Sequence, residues 1–199
     1  MMKNAFRGVL GLAAAAFVLS ACNAEVKTSV VGGASDAAVS APLASAPQGM
    51  PAGWQEVKTA DGAVSLNLPD GFVDQAEQAG QLVSDVAAAD LLLLQRHEAQ
   101  DIIVYVAKAG APKQSAEAYF TKLTETVKAA TGLQNVAVDT PADNRLTYRF
   151  SREENDSSLY ESCVALYSNQ QIYTACAASS SANMAELDAV VNGTVLAAQ

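Results

Sequence analysis

Apolar and polar positions are distributed along the chain in two periods, with a run that has neither ahead of them. Trp54 to Lys58 and Ala63 to Leu68 alternate as strands around Asp61-Gly62, a dipeptide that supplies the positive φ angles of a tight hairpin. Leu91 to Leu94 and Ile102 to Val106 are denser in apolar residues, as in strands buried on both faces, so a helix is expected on each side of them. After Pro112 the period changes. Tyr119, Phe120, Leu123, Val127 and Ala130 form one helical stripe behind a Ser115 N-cap, and Gly132 stops it. Glu117, Lys122, Glu125 and Lys128 take the outer face, so the helix reads as a core-packing element.

Three or four strands are predicted next, around Val136 to Asp139, Arg145 to Ser151, Leu159 to Ser168, and Gln171 to Ala178. In the second, Leu146, Tyr148 and Phe150 alternate with Arg145, Thr147 and Arg149, so only one face is dry. A closing helix is expected over Ala182 to Ala198, with Met184, Leu187, Val191 and Val195 inward and Ser180 or Ser181 as cap. Strands, helix, strands, helix predicts an α+β fold, an antiparallel β-sheet with helices packed on its faces.

The first residues carry a different message. Lys3 and Arg7 precede a short apolar run from Gly8 to Val18, the plan of a secretory signal peptide and too short to span a bilayer. Leu19-Ser20-Ala21-Cys22 then resembles the bacterial lipobox, in which the cysteine becomes the mature N-terminus. That resemblance implies a diacylglycerol on the Cys22 thiol and an acyl chain on its amine, more than the two signals that stable anchoring requires. Asn23 stands where enteric lipoproteins kept at the inner membrane typically have Asp, which favours the outer membrane.

From Val26 to Gly53, 18 of 28 residues are Ala, Ser, Gly or Pro, too little apolar bulk to offset the entropy of ordering. The segment reads as a tether with a random-coil reach of about 30 Å. The expected organisation is therefore a signal peptide over 1–21, a lipidated N-terminus and tether over 22–53, and one domain over 54–199.

Composition narrows the function. A net charge of −9 argues against nucleic acid as a partner, since that affinity comes from Lys and Arg. It also repels anionic headgroups, so the anchor is expected to be the lipid and not the folded surface. With Cys22 lipidated, Cys163 and Cys176 remain as a pair in an oxidising compartment. A two-residue turn at Asn169-Gln170 would set them directly opposite each other as a non-hydrogen-bonded pair about 4.5 Å apart at Cα, within disulfide range. Gln170 is an awkward residue for positive φ, and a longer loop would shift that register.

No catalytic residue and no metal site is predicted. His97, the one histidine, sits where a hairpin turn is expected, and no Gly-x-Ser-x-Gly elbow supplies a nucleophile. Glu153, Glu154 and Asp156 lack the spacing of a calcium loop and read as a polar hairpin tip. No phosphate-binding or dinucleotide fingerprint is present. Asn192-Gly193-Thr194 matches a glycosylation sequon that a bacterial lipoprotein has little reason to use.

Residues Asp61 to Gln75, DGAVSLNLPDGFVDQ, followed by Gly80, resemble the opening of the DcrB family of bacterial envelope lipoproteins. In that family a strand ending in Leu-Pro leads to a segment closing on Asp-Gln and a nearby glycine. The resemblance implies the Mog/PsbP-like arrangement of sheet and helices. It also implies envelope roles without catalysis, among them phage adsorption and lipoprotein homeostasis. The function expected is a lipid-anchored, non-enzymatic binding or assembly factor facing the periplasm, with an envelope protein as partner and no cofactor beyond its lipid. Two alternatives are a small-molecule carrier using a sheet–helix cleft and a chaperone like those of secretion effectors.

Overall fold

The hairpin that opens the domain is built around Asp61. A computed structural model describes residues 52–154 and 157–197; the signal-peptide and Cys22 expectations, and the tether up to residue 51, lie outside it. Strand β1 (Trp54–Lys58) pairs antiparallel with β2 (Val64–Pro69). Between them Asp61 Oδ1 accepts from the Thr59 hydroxyl at 2.7 Å and the Ala63 N–H at 3.1 Å. Gly62 alone takes positive φ, +69°, because a Thr59-to-Val64 closure leaves a longer loop than the tight turn expected from Asp-Gly.

The larger sheet holds seven strands in the order β3-β4-β5-β9-β8-β7-β6, every neighbour antiparallel. Its strands are β3 (Val73–Asp74), β4 (Leu91–His97), β5 (Ile102–Gly110), β6 (Gln134–Ala142), β7 (Arg145–Glu154), β8 (Ser157–Tyr167) and β9 (Ile172–Ser179). Helix α2 (Ala116–Ala129) carries the chain from β5 to the far edge, and the β6–β9 meander folds back until β9 pairs with β5. The α+β architecture expected from the sequence is present, but with two sheets where one was expected. Val195–Leu196 forms β10, which joins β1 and β2 in a separate three-stranded sheet.

That strand corrects the closing helix, which runs only over α3 (Met184–Asn192). Its cap is Asn183, not Ser180 or Ser181: the Asn183 side chain accepts from the Glu186 N–H while the Glu186 carboxylate accepts from the Asn183 N–H. At the other end the Thr194 hydroxyl donates to Val191 O, and Arg145 donates to the carbonyls of Asn192 and Thr194. A cation on these orphan carbonyls closes the last turn. Val195, expected inward, is exposed.

Strand alternation sorts the core into two faces. On one, Val104, Val106, Val164 and Ala175 meet Leu187 and Val191 of α3 and Leu66 and Leu68 of β2. On the other, the short helix α1 (Ala79–Leu82) and Val83 cover Leu94 and Ile103, while Phe120 of α2 covers Leu146 and Ala165. The expected helix on each side of β4 and β5 is thus met by α3 with the small sheet and by one turn of α1. Ser115 caps α2 as predicted, accepting from the Ala118 N–H at 3.3 Å.

Candidate functional site

Cys163 and Cys176 form a disulfide across β8 and β9, directly opposed and 4.1 Å apart at Cα. The register is the one a two-residue Asn169-Gln170 turn predicts, with Ser168 N–H donating to Gln171 O at 3.0 Å. Neither turn residue takes positive φ. The Ser168 hydroxyl closes the turn instead: it donates to Gln171 O and accepts from the Gln171 N–H. A side chain thus replaces one backbone bond, which removes the demand on Gln170.

Around the disulfide the sheet buries polar chemistry. Along one row on the α1/α2 face stand Tyr148, Cys163, Cys176 and Tyr105, and beside it the next row brings Phe150 and Glu161. The Tyr105 hydroxyl donates to Glu161 Oε1 at 3.1 Å, and the same oxygen lies 3.8 Å from Cys163 Sγ. Burial raises the Tyr105 pKa, and the Glu161 charge raises it further; Tyr148 shifts the same way for the same two reasons. Both phenols therefore stay protonated at neutral pH. Arg152, also buried, acts in the opposite sense on Tyr105 through its charge.

The other face carries a cleft. Helix α3 contributes Met184, Ala185 and Asp188, and strands β6 to β8 contribute Asn135, Ala137, Arg149, Ser151 and Tyr160, around a volume of about 520 Å³. Arg149 Nη1 lies 2.7 Å from Asp188 Oδ2, and the Ser162 hydroxyl donates to Asp188 Oδ1 at 2.6 Å. This network ties the helix to the sheet at the cleft wall. Asn135 holds φ +54° at a bulge of β6 and donates through Nδ2 to Ser151 Oγ at 2.9 Å. A non-glycine residue in this region costs energy, and such residues gather at binding sites.

His97 ends β4, where Nδ1 accepts from the Gln100 N–H at 3.2 Å and the ring meets Phe72 edge-on. It also covers Gly71, where a Cβ would come within 2.6 Å of Nε2. His97 thus stands at the β4–β5 turn as expected, half-buried by its packing on Phe72 and Gly71. Glu153 accepts from Ser158 at the exposed β7–β8 tip; Asp156 and the Glu154 side chain lie outside the described residues. The sequon threonine, Thr194, is fully buried. Glu161 and the Arg149–Asp188 pair were not singled out from the sequence. For Glu161 a signal existed: two residues before Cys163 on the same strand, it shares that face.

No protein-family model matches the chain, and no curated protein matches it. Among solved structures, the cyanobacterial PsbP protein CyanoP from Synechocystis sp. PCC 6803 is similar at a TM-score of 0.47 and 14% identity, over 79% of this chain and 100% of that one. LpqN, involved in cell envelope biogenesis of Mycobacterium tuberculosis, is similar at a TM-score of 0.41 and 12% identity, over 73% and 91%. At these scores the likeness is one of general architecture.

Proposed function

We propose that this chain is a lipid-anchored bacterial envelope protein that faces the periplasm and acts by binding a partner protein, in the manner of the DcrB family. The observation that carries the reading is the order of Leu19-Ser20-Ala21-Cys22, a 28-residue tether poor in bulky residues, and a single α+β domain. Attachment is through the lipid on Cys22, at the outer membrane by the absence of Asp after that cysteine. Nucleic acid is not a partner of so acidic a chain, and the function is non-enzymatic.

The α3 cleft is the surface that meets the partner. It combines apolar wall atoms of Met184, Ala185 and Ala137 with the Arg149–Asp188 pair, a mixture suited to protein recognition. In-cell crosslinking from a photoreactive residue at position 185, followed by capture from solubilised envelopes, tests this. One abundant partner that is lost when the crosslinker moves to the outer face of α2, at Glu125, is expected. Equal yields from both positions remove the cleft from the proposal.

One observation favours a second reading. A volume of about 520 Å³ lies within the range of small-molecule pockets, as a carrier would need. A ligand that raises the thermal midpoint of the wild type but not of Ala185→Arg would make the protein a carrier.

A further inference from the structure

We propose that the reduced form of this chain holds a thiophilic divalent cation of the zinc class, bound by Cys163, Cys176 and Glu161. Among the described residues these three form the one group whose potential ligand atoms all fall within 4.8 Å of one another, and all three side chains are buried. The disulfide masks two of the donors. A dithiol reductant delivers two electrons and two protons to the S–S bond, closing to its own disulfide and leaving two thiols. The incoming ion then displaces both thiol protons to solvent and forms two metal–sulfur bonds.

The three donors meet three of the four positions of a tetrahedral ion, with the fourth left to a water. With bonds of about 2.3 Å to sulfur and about 2.0–2.2 Å to oxygen, neighbouring donors stand roughly 3.5–3.8 Å apart. Glu161 Oε1 is already 3.8 Å from Cys163 Sγ. Direct opposition across β8 and β9, with the Cα atoms 4.1 Å apart, keeps the two freed sulfurs next to each other on the Glu161 side of the sheet.

The surroundings serve the same end. The Tyr105 hydroxyl donates to Glu161 Oε1 and so orients the ligating carboxylate, as supporting shells of metal sites do. Two thiolates and a carboxylate around a dication leave one negative charge, and the buried Arg152, whose charge reaches Tyr105, offsets it. Two sulfurs and one oxygen suit a borderline ion better than a hard one such as calcium. A metal site here departs from the absence of one expected from the sequence.

The test uses the full chain carrying Cys22→Ser, which leaves Cys163 and Cys176 as its two thiols. The protein is reduced with dithiothreitol, desalted without oxygen and titrated with Co²⁺, whose thiolate charge-transfer and tetrahedral bands report the ligands. One Co²⁺ per reduced chain, displaced by Zn²⁺, is expected, with none bound by the oxidised chain. Glu161→Gln should weaken binding at least tenfold, and Cys163→Ser should abolish the charge-transfer band. A reduced chain that keeps its circular dichroism but shows no such bands overturns the proposal. So does Glu161→Gln binding as tightly as the parent, or a reduced chain that unfolds and does not refold with Zn²⁺.

Discussion

Asp61 shows how one carboxylate in a hairpin ties stability to pH. Desolvation raises its pKa, but the hydrogen bonds from Thr59 and Ala63 and the charge of Lys108 outweigh this and hold it below 3.8. A group whose pKa is lower in the folded than in the unfolded chain stabilises the fold above its unfolded value. That contribution disappears as the pH falls through the folded value. Asp61→Asn should therefore melt at a lower temperature than the parent at pH 7, and the gap should close as the pH falls through the folded Asp61 value, where the parent loses its charge too. Melts at several pH values check this, and a gap constant across them would refute it. The residue is solvent-accessible, so the effect is small.

The disulfide is a residue-scale feature with a larger effect. Its cysteines lie 13 residues apart in sequence, and closing a loop of that size contributes about 3 kcal/mol in the chain-entropy model. Cys163→Ser should then lower the thermal midpoint by roughly 10 °C in a domain of this size. An unchanged midpoint, with free thiols detected in the parent, would mean that the bridge does not form. The pairing was legible because two expectations converged: an exported, lipidated Cys22 leaves two cysteines over, and a two-residue turn sets them in register. Glu161 and Tyr105 were harder to see, because a lone glutamate in a strand can equally face solvent. Only the pairing of β5 with β9, and of β9 with β8, brings the Tyr105 hydroxyl within reach of Glu161.

At the scale of elements, what could be read was whatever repeats. Helix α2 runs through four turns with a serine cap, so its period is unambiguous over Ala116–Ala129. Helix α1 has four residues and β10 two, too short for any period to emerge. The expected closing helix exceeds the real one because Val195 falls four residues after Val191 and continues the stripe by coincidence. Asn183 with Glu186 three residues on is a capping box, and it was the sequence signal for the true start. The split into two sheets had no local signal, since alternation says that a residue faces inward but not which strand lies beside it. The box supports a direct prediction: Asn183→Ala should cost about 1 kcal/mol and shift the midpoint by roughly 3 °C. Glu186→Ala added to it should cost less than its effect alone, because the two side chains act as one cap. Full additivity in that double-mutant cycle would separate them.

At the scale of the whole molecule, the proposed division of labour between a lipid anchor and the cleft makes two kinds of failure distinguishable. On that proposal a domain tethered at about 30 Å would meet a partner on the same membrane at an effective concentration of order mM, through confinement rather than through any added contact. Cys22→Ser frees the domain without touching the cleft, so its crosslinking to an envelope partner should fall and return when the protein is overproduced, since concentration is what was lost. Ala185→Arg keeps the anchor but fills the cleft where α3 faces β6 and β7, and overproduction should restore little, since the contact itself is gone. Ala185 is exposed, and α3 keeps its buried Leu187, Val190 and Val191, so the variant should melt close to the parent. Crosslinking yield measured at two expression levels for both variants separates the cases. A Cys22→Ser yield equal to the parent's at low expression would show that the lipid has no part in finding the partner. Ala185→Arg rescued as fully as Cys22→Ser would move the binding surface off the cleft, leaving the anchor and tether in place as the means of delivery.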